Sequence, residues 1–194
     1  SKVSFFRDIA LHSGKFPKFF FINSDTRDYE FFSAAAADLG KIVLFNKKDM
    51  VKVKIKTKLI GEFNLENIAA AIAFARSMNI DWETIKNAIE LFNGVPGRLE
   101  FVQKIPFSVV IDYAHTPDSL EKVYKTLKSQ KSKVQSSKSK LICVLGSAGG
   151  GRDAWKRPVM GKLAADYCGQ IILTNEDPFN EDPENIINEI ASGI

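Results

Sequence analysis

The apolar positions of this chain keep changing period, and the changes mark out its elements. Residues 3–11 carry Phe5, Phe6 and Ile9 at helical spacing and stop near Gly14, which predicts a helix. Residues 19–22 form a short apolar run ending in Asn23-Ser24-Asp25, the pattern of a strand and its turn. A helix over 28–39 follows, with Gly40 expected as its C-cap, and 42–45 reads as a second strand. Val51-Lys52-Val53-Lys54-Ile55-Lys56 alternates strictly, as a strand with one wet face does. Residues 64–78 are alanine-rich and apolar around much of a helical circumference, so a buried helix capped by Asn64 is expected. Asp81 caps the next helix, which runs to Leu91. Asn93-Gly94-Val95-Pro96-Gly97 then breaks the pattern, and two domains, 1–97 and 98–194, are expected on either side.

Beyond the break come strands over 99–104 and 107–111 and a helix over 117–127. Residues 128–140 are almost entirely Ser, Lys and Gln, with Val134 their one apolar residue, which predicts a flexible surface insertion. A strand over 141–145, a helix over 156–167, a strand over 170–174 and a helix over 183–192 complete the series. Strands alternating with helices predict an α/β fold with mostly parallel sheets covered on both faces. The sequence shows no internal repeat.

Composition narrows the class. Apolar residues make up 45% of the 194 and charged residues 26%, ordinary values for a soluble globular protein. The net charge of +4 traces largely to the lysine-rich segment, so no nucleic-acid surface is read from it. Cys143 and Cys168 lack metal-site spacing and form no disulfide framework, which points to a reducing cytoplasm. No apolar run is long enough to span a membrane and no signal peptide is visible. The first residue is not methionine and the pattern starts midway, so both ends look cut from something longer.

Candidate chemistry clusters at strand ends. Val109-Val110-Ile111-Asp112-Tyr113-Ala114-His115-Thr116-Pro117-Asp118 is a strand that ends in an acid and a histidine and turns directly into a helix. Open α/β sheets place ligands outside the carboxyl ends of their strands. Thr116 and Pro117 suit the helix cap and first turn, so the loop between is short and fixed. Gly146-Ser147-Ala148-Gly149-Gly150-Gly151-Arg152-Asp153 follows another strand. Its backbone N–H groups could form an anion nest, and Arg152 is a fork suited to a carboxylate or phosphate. Lys156 and Arg157 sit at a helix start, where the dipole disfavours cations, so a negative ligand is expected to arrive there. Asn175-Glu176-Asp177-Pro178-Phe179 follows the next strand and offers two carboxylates to a cationic group. Arg98, after Gly97 at the boundary, could reach a ligand held between domains. Asn67, one turn into an alanine-rich helix, is a candidate ligand contact, and His12 is assigned no role.

Together these pieces resemble the Mur ligases of peptidoglycan synthesis, within them most the branch that adds the third amino acid to UDP-N-acetylmuramoyl-L-alanyl-D-glutamate. The resemblance rests on Gly61-Glu62-Phe63-Asn64-Leu65-Glu66-Asn67, Gly94-Val95-Pro96-Gly97-Arg98-Leu99-Glu100, residues 112–120, and Gly151-Arg152-Asp153 with Lys156-Arg157-Pro158. It covers nearly everything from Phe63 onward and is looser before Ile60. It implies an ATP-dependent amide ligase that works through an acyl phosphate with Mg2+. It implies that Asn67 contacts the adenine, Arg98 the phosphates and Asp112 the ribose, with His115 lining the same pocket. Arg152 would hold the carboxylate of the incoming amino acid, with Glu176, Asp177, Pro178 and Phe179 around it. Lys2, if carbamylated, would help hold the metal. The implied partners are the UDP-N-acetylmuramoyl dipeptide and an amino acid, the implied state a cytoplasmic monomer.

Two residues depart from the family pattern. Phe179 stands where diaminopimelate-adding members carry the arginine of Asp-Asn-Pro-Arg, so Glu176 and Asp177 favour the amine of lysine or a similar diamino acid. Gly151 replaces the aspartate usual before Arg-Asp. The family's Gly-Lys-Thr phosphate loop is absent from these residues. The expected domains are therefore the second part of the central ATP-binding domain and the first part of the C-terminal ligase domain, inactive alone. A folylpolyglutamate-type or cyanophycin-type ligase is the alternative enzyme, and a non-catalytic nucleotide-binding module the alternative of another class.

Overall fold

A computed structural model describes residues 2–12, 18–48, 55–131, 140–151 and 153–194. The chain forms two compact units, Ser1–Asn93 and Gly94–Ile194. The first contains α1 (Lys2–His12), β1 (Phe19–Asn23), α2 (Tyr29–Ala36), β2 (Lys41–Phe45), α3 (Glu62–Ser77) and α4 (Trp82–Leu91). The second contains β3 (Glu100–Gln103), β4 (Val109–Ile111), α5 (Pro117–Lys131), β5 (Ile142–Leu145), α6 (Lys156–Tyr167), β6 (Gln170–Leu173) and α7 (Pro183–Ala191). This is the α/β arrangement the alternating pattern predicts, with parallel pairs in both units.

In the first unit β1 and β2 run parallel, with Phe20 opposite Ile42 and Ile22 opposite Leu44. The period of the strand sorts its side chains onto two faces. Phe20 and Ile22 pack with Ala36 of α2 on one face. Phe19 and Phe21 stack on the other, and Phe21 meets Phe74 of α3 edge-on at 5.7 Å. Asp81 caps α4 as expected, its carboxylate accepting the Thr84 N–H at 2.9 Å.

Two caps differ from expectation. Gly40 does not close α2, which ends at Ala36 with Ala37 still helical. It is needed instead because a Cβ there would run into the Lys18 carbonyl beside β1. Asn64 does not cap α3, which starts at Glu62 behind Gly61. Its amide instead donates to the Ile60 carbonyl at 2.8 Å, inside the first turn. Of the alternating stretch 51–56, residues 51–54 lie outside the described residues, and Ile55 and Lys56 belong to no strand.

The second unit is built on one core. Leu120 and Tyr124 of α5, Cys143 and Leu145 of β5, Met160 and Ala164 of α6, and Ile186 and Ile190 of α7 bury together. β5 and β6 are parallel, with Cys143 opposite Ile171. β3 and β4 form an antiparallel pair. Thr116 caps α5 in a reciprocal box with Ser119: Ser119 N–H donates to Thr116 Oγ1 at 3.3 Å, and Thr116 N–H to Ser119 Oγ at 3.1 Å. Asp182 caps α7 in turn, its carboxylate accepting the Glu184 N–H at 3.0 Å.

α5 runs on through Lys131, so 128–131 are helical rather than part of a flexible insertion. Lys128 secures that turn, donating to the Asp166 carbonyl at 3.2 Å with its ammonium 4.7 Å over the Tyr167 ring. Residues 132–139 lie outside the described residues. Among the described residues no helix is long and apolar enough to cross a membrane.

α6 and α7 approach so closely that a Cβ at Gly161 would collide with the Ile190 carbonyl. Gly161→Ala should therefore destabilise the chain by about 1–3 kcal/mol in urea denaturation, and an unchanged midpoint would show that the helices do not touch there. Burial beside Cys143 pushes the Cys168 thiol from its ordinary 9.0 up to about 12. Its alkylation by iodoacetamide at about pH 8 should be at least about a hundredfold slower than that of free cysteine, read by mass spectrometry. The unfolded chain loses this proton first, so stability should fall as pH rises from 9.0 towards about 12.

Candidate functional site

The turn before β3 is held in an unusual backbone state. Gly97 has φ +70°, open to a residue with no Cβ, while Leu99 has φ +46°, which strains a side-chain-bearing residue. Three hydrogen bonds impose the shape. Gly97 N–H donates to Glu100 Oε2 at 2.7 Å, Arg98 N–H to the Val95 carbonyl at 3.0 Å, and Leu99 N–H to Asp112 Oδ2 at 2.8 Å. The other Asp112 oxygen accepts the Ala114 N–H at 2.7 Å. One carboxylate thus ties the Arg98 turn to the loop that leaves β4.

The exposed Arg98 guanidinium lies 4.9 Å over the Tyr113 ring. Tyr113 meets the His115 ring edge-on at 5.3 Å. His115 Nδ1 is 3.0 Å from the Tyr113 carbonyl, which only accepts, so Nδ1 is the donor in that contact. Ala114 packs onto the core beneath, so the loop sits on the same body as β5 and α6. The structure therefore gathers Arg98, Asp112 and His115. Tyr113, which joins them, was missed because a tyrosine between two polar candidates reads as strand hydrophobicity. Asn67 belongs to the first unit, where it is exposed and donates to Asn64 Oδ1 at 3.2 Å.

A second cluster joins the glycine loop to the loop after β6. Gly149 N–H donates to the Asp177 carbonyl at 2.8 Å, and a Cβ at Gly149 would strike the Pro178 carbonyl. Gly150 lies under the Phe179 ring, whose own residue has φ +54°. Gly151 N–H donates to Glu181 Oε1 at 2.9 Å. The expected anion nest is thus occupied at Gly149 and Gly151 by the protein's own oxygens.

Arg157 corrects a second expectation. It awaits no ligand: its side chain is 1% exposed and pairs with Glu181 at 2.9 Å and Glu189 at 2.7 Å. It also donates to the Ala148 carbonyl at 3.2 Å. The hydrogen bond to Arg157 comes first in holding the Glu181 carboxyl below its usual range, with the Gly151 N–H next. The same bond raises Arg157 further above its ordinary value. The signal missed in the sequence was Glu181 itself, two residues beyond Phe179 and unremarkable in an acidic run.

Glu176, Asp177 and Phe179 are exposed and Pro178 half-buried, all beside the glycine loop. Arg152 lies outside the described residues, as does the side chain of Lys2 in α1. Among the described residues no group of three or more His, Cys, Asp or Glu side chains is placed to hold a metal ion.

An arginine on a turn that a strand-end acid pins, with a sealed glycine loop beside the next strand, marks an α/β protein whose polar groups gather at its strand ends. Residues 97–194 match the Mur ligase, glutamate ligase domain family, and the chain belongs to that family. It is 48% identical over 141 residues to the UDP-N-acetylmuramoyl-L-alanyl-D-glutamate–2,6-diaminopimelate ligase of Aquifex aeolicus, covering 73% of this chain and 28% of that protein. The ligase of the same name from Bacillus cereus is 42% identical over 142 residues, covering 73% and 28%. The chain thus spans 28% of the length of these relatives. Among solved structures, MurF from Acinetobacter baumannii superposes with a TM-score of 0.70 at 18% identity, over 96% of this chain and 43% of that one. Folylpolyglutamate synthase of Mycobacterium tuberculosis gives 0.63 at 17% identity, over 84% and 40%. At those identities the likeness is one of fold.

Asp112→Asn should loosen the Arg98 turn, because one oxygen becomes an amide facing an N–H donor. Amide exchange at Leu99 or Ala114, read by NMR, should quicken at least about tenfold. Unchanged protection at both amides would remove the carboxylate as the pin.

Proposed function

We propose that this chain is part of an ATP-dependent amide ligase of peptidoglycan synthesis that adds a diamino acid to UDP-N-acetylmuramoyl-L-alanyl-D-glutamate. The observation that carries this reading is the Arg98 turn pinned to Asp112 beside Tyr113 and His115. Arg98 would meet the phosphates of ATP, Asp112 the ribose, His115 the same pocket and Asn67 the adenine. A cation held in place by a ring and a strained turn costs little reorganisation when charge develops on a transferring phosphoryl group. Mg2+, when bound, would neutralise phosphate charge, with Lys2 as a carbamate among its holders. The residues fall into the second part of a central ATP-binding domain and the first part of a C-terminal ligase domain, and the reaction passes through an acyl phosphate in the cytoplasm.

Arg152 would take the carboxylate of the incoming amino acid, and the loop over 175–179 its far end. Relatives are named for 2,6-diaminopimelate. The residues here favour lysine. Phe179 has no fork for a distal carboxylate, while Glu176 and Asp177 are exposed beside it and suit an ammonium group.

The test is ADP release by the full-length protein that contains these residues, given ATP, Mg2+, the UDP-linked dipeptide and either lysine or diaminopimelate. Lysine should be preferred in kcat/KM by at least about tenfold. A preference for diaminopimelate would remove the lysine assignment, and no ADP release with either would remove the ligase reading. The 194-residue chain alone should release none.

A further inference from the structure

The sealed glycine loop leaves one group that the ligase reading does not use. Arg157 is almost wholly buried, and its guanidinium pairs with Glu181 and Glu189, whose side chains are themselves partly exposed. A buried cation is tolerated when its charge is matched. Arg157 matches its charge with Glu181 and Glu189 and gives a further N–H to the Ala148 carbonyl, while its Nε is left without a hydrogen-bond partner. Glu189 lies on α7 and touches the guanidinium alone of these groups. Glu181 does something different: one oxygen takes Arg157 and the other takes the Gly151 N–H. The Gly149 N–H closes onto the Asp177 carbonyl in the same strip. The glycine loop is therefore tied to the segment that carries the exposed acids twice, by the Gly149 backbone bond and, at Ala148 and Gly151, through the one ion pair.

We propose that Arg157 and Glu181 are a positioning pair for amino-acid recognition, setting the glycine loop and the acidic loop as one body without touching substrate themselves. This rests on the ligase reading above, in which those two loops hold the incoming amino acid. The bridge fixes the residue just ahead of Arg152 in the chain, so slack in it should displace the amino-acid end of the site. The Arg98 turn is pinned separately, by Asp112, and should be untouched.

Glu181→Gln tests this. The glutamine keeps an oxygen for Gly151 but sets an NH2 group against the guanidinium. In the full-length ligase, KM for the amino acid should rise at least about tenfold while KM for ATP stays within about twofold. Glu189→Gln should leave the amino-acid KM within about twofold, because its carboxylate holds the arginine and not the loop. On the 194-residue chain, amide exchange at Gly151 should quicken in the Glu181 variant and not in the Glu189 variant. Arg157→Lys should follow Glu181→Gln. Should that lysine variant fail to fold, the half-exposed Glu181 still carries the test. An unchanged amino-acid KM in Glu181→Gln, a parallel rise in both KM values, or equal effects of the two glutamines would overturn the pair. A wild-type protein that ligates neither lysine nor diaminopimelate would overturn the ligase reading and the pair's role with it, an outcome distinct from an active wild type with an indifferent variant.

Discussion

A guanidinium withdrawn from water must have its charge matched within the protein, and Arg157 organises the loop edge of the second unit by that demand. Glu181, Glu189 and the Ala148 carbonyl converge on it from three different segments. None of those segments can drift without leaving charge unmatched in a poorly hydrated place. The hydrophobic core below is formed by Met160, Ala164, Ile186 and Ile190, which fixes α6 against α7. Arg157 is one turn from Met160 on α6, so the ion pairs extend the packed interface up to the loops. The bulk of the stability comes from the apolar layer and the precision of the loops from the charged one.

The same device is used twice. Asp112 and Glu181 are each a carboxylate at the edge of a strand-to-helix loop; Asp112 gives both oxygens to backbone N–H groups, and Glu181 gives one to Gly151 N–H and the other to Arg157. Strand ends in an α/β sheet expose such donors, and a ligand anion is the usual partner. Here the protein supplies the anion at Leu99, Ala114 and Gly151. The consequence for recognition is direct. A phosphate or carboxylate arriving at these loops finds those donors engaged and must be held by cationic side chains that the loops aim. Arg98, propped on the Tyr113 ring, is a cationic side chain that its loop aims in this way.

Much of this was legible in the residues. The strand and helix periods located nearly every element of the second unit, and Thr116 and Asp81 capped helices because their short oxygens reach the first free N–H groups. Local chemistry failed where a distant partner decided the outcome. Gly40 looked like a helix stop but answers to Lys18 across the sheet. Asn64 looked like a cap but lies inside a turn that starts two residues earlier. Arg157 looked like a cation in want of an anion, since the two glutamates that satisfy it lie beyond the next strand. The Ser-Lys-Gln run looked like flexible chain from its first residue. Four residues of it are helical, because lysine is a good helix former and Lys128 finds a ring and a carbonyl. Sequence pattern reports periodicity and near neighbours, and long-range charge pairing is invisible to it.

Phe179 ties the packing of its loop to the recognition proposed for it. Its backbone sits at φ +54°, a state that costs a side-chain-bearing residue on the order of 1 kcal/mol or more. The Gly149 bond to Asp177 lies on one side of it and the Glu181 bridge on the other, and together they hold it there. The ring then closes over Gly150, where any Cβ would press on it. A glycine under the ring and an aromatic above it are therefore one choice, not two. An arginine at the same position would keep the strained backbone but forgo the ring contact that helps to offset it. In the proposed ligase, a preference of this loop among amino acids is consequently tied to how it packs, since Phe179 is also the side chain that closes the loop over Gly150.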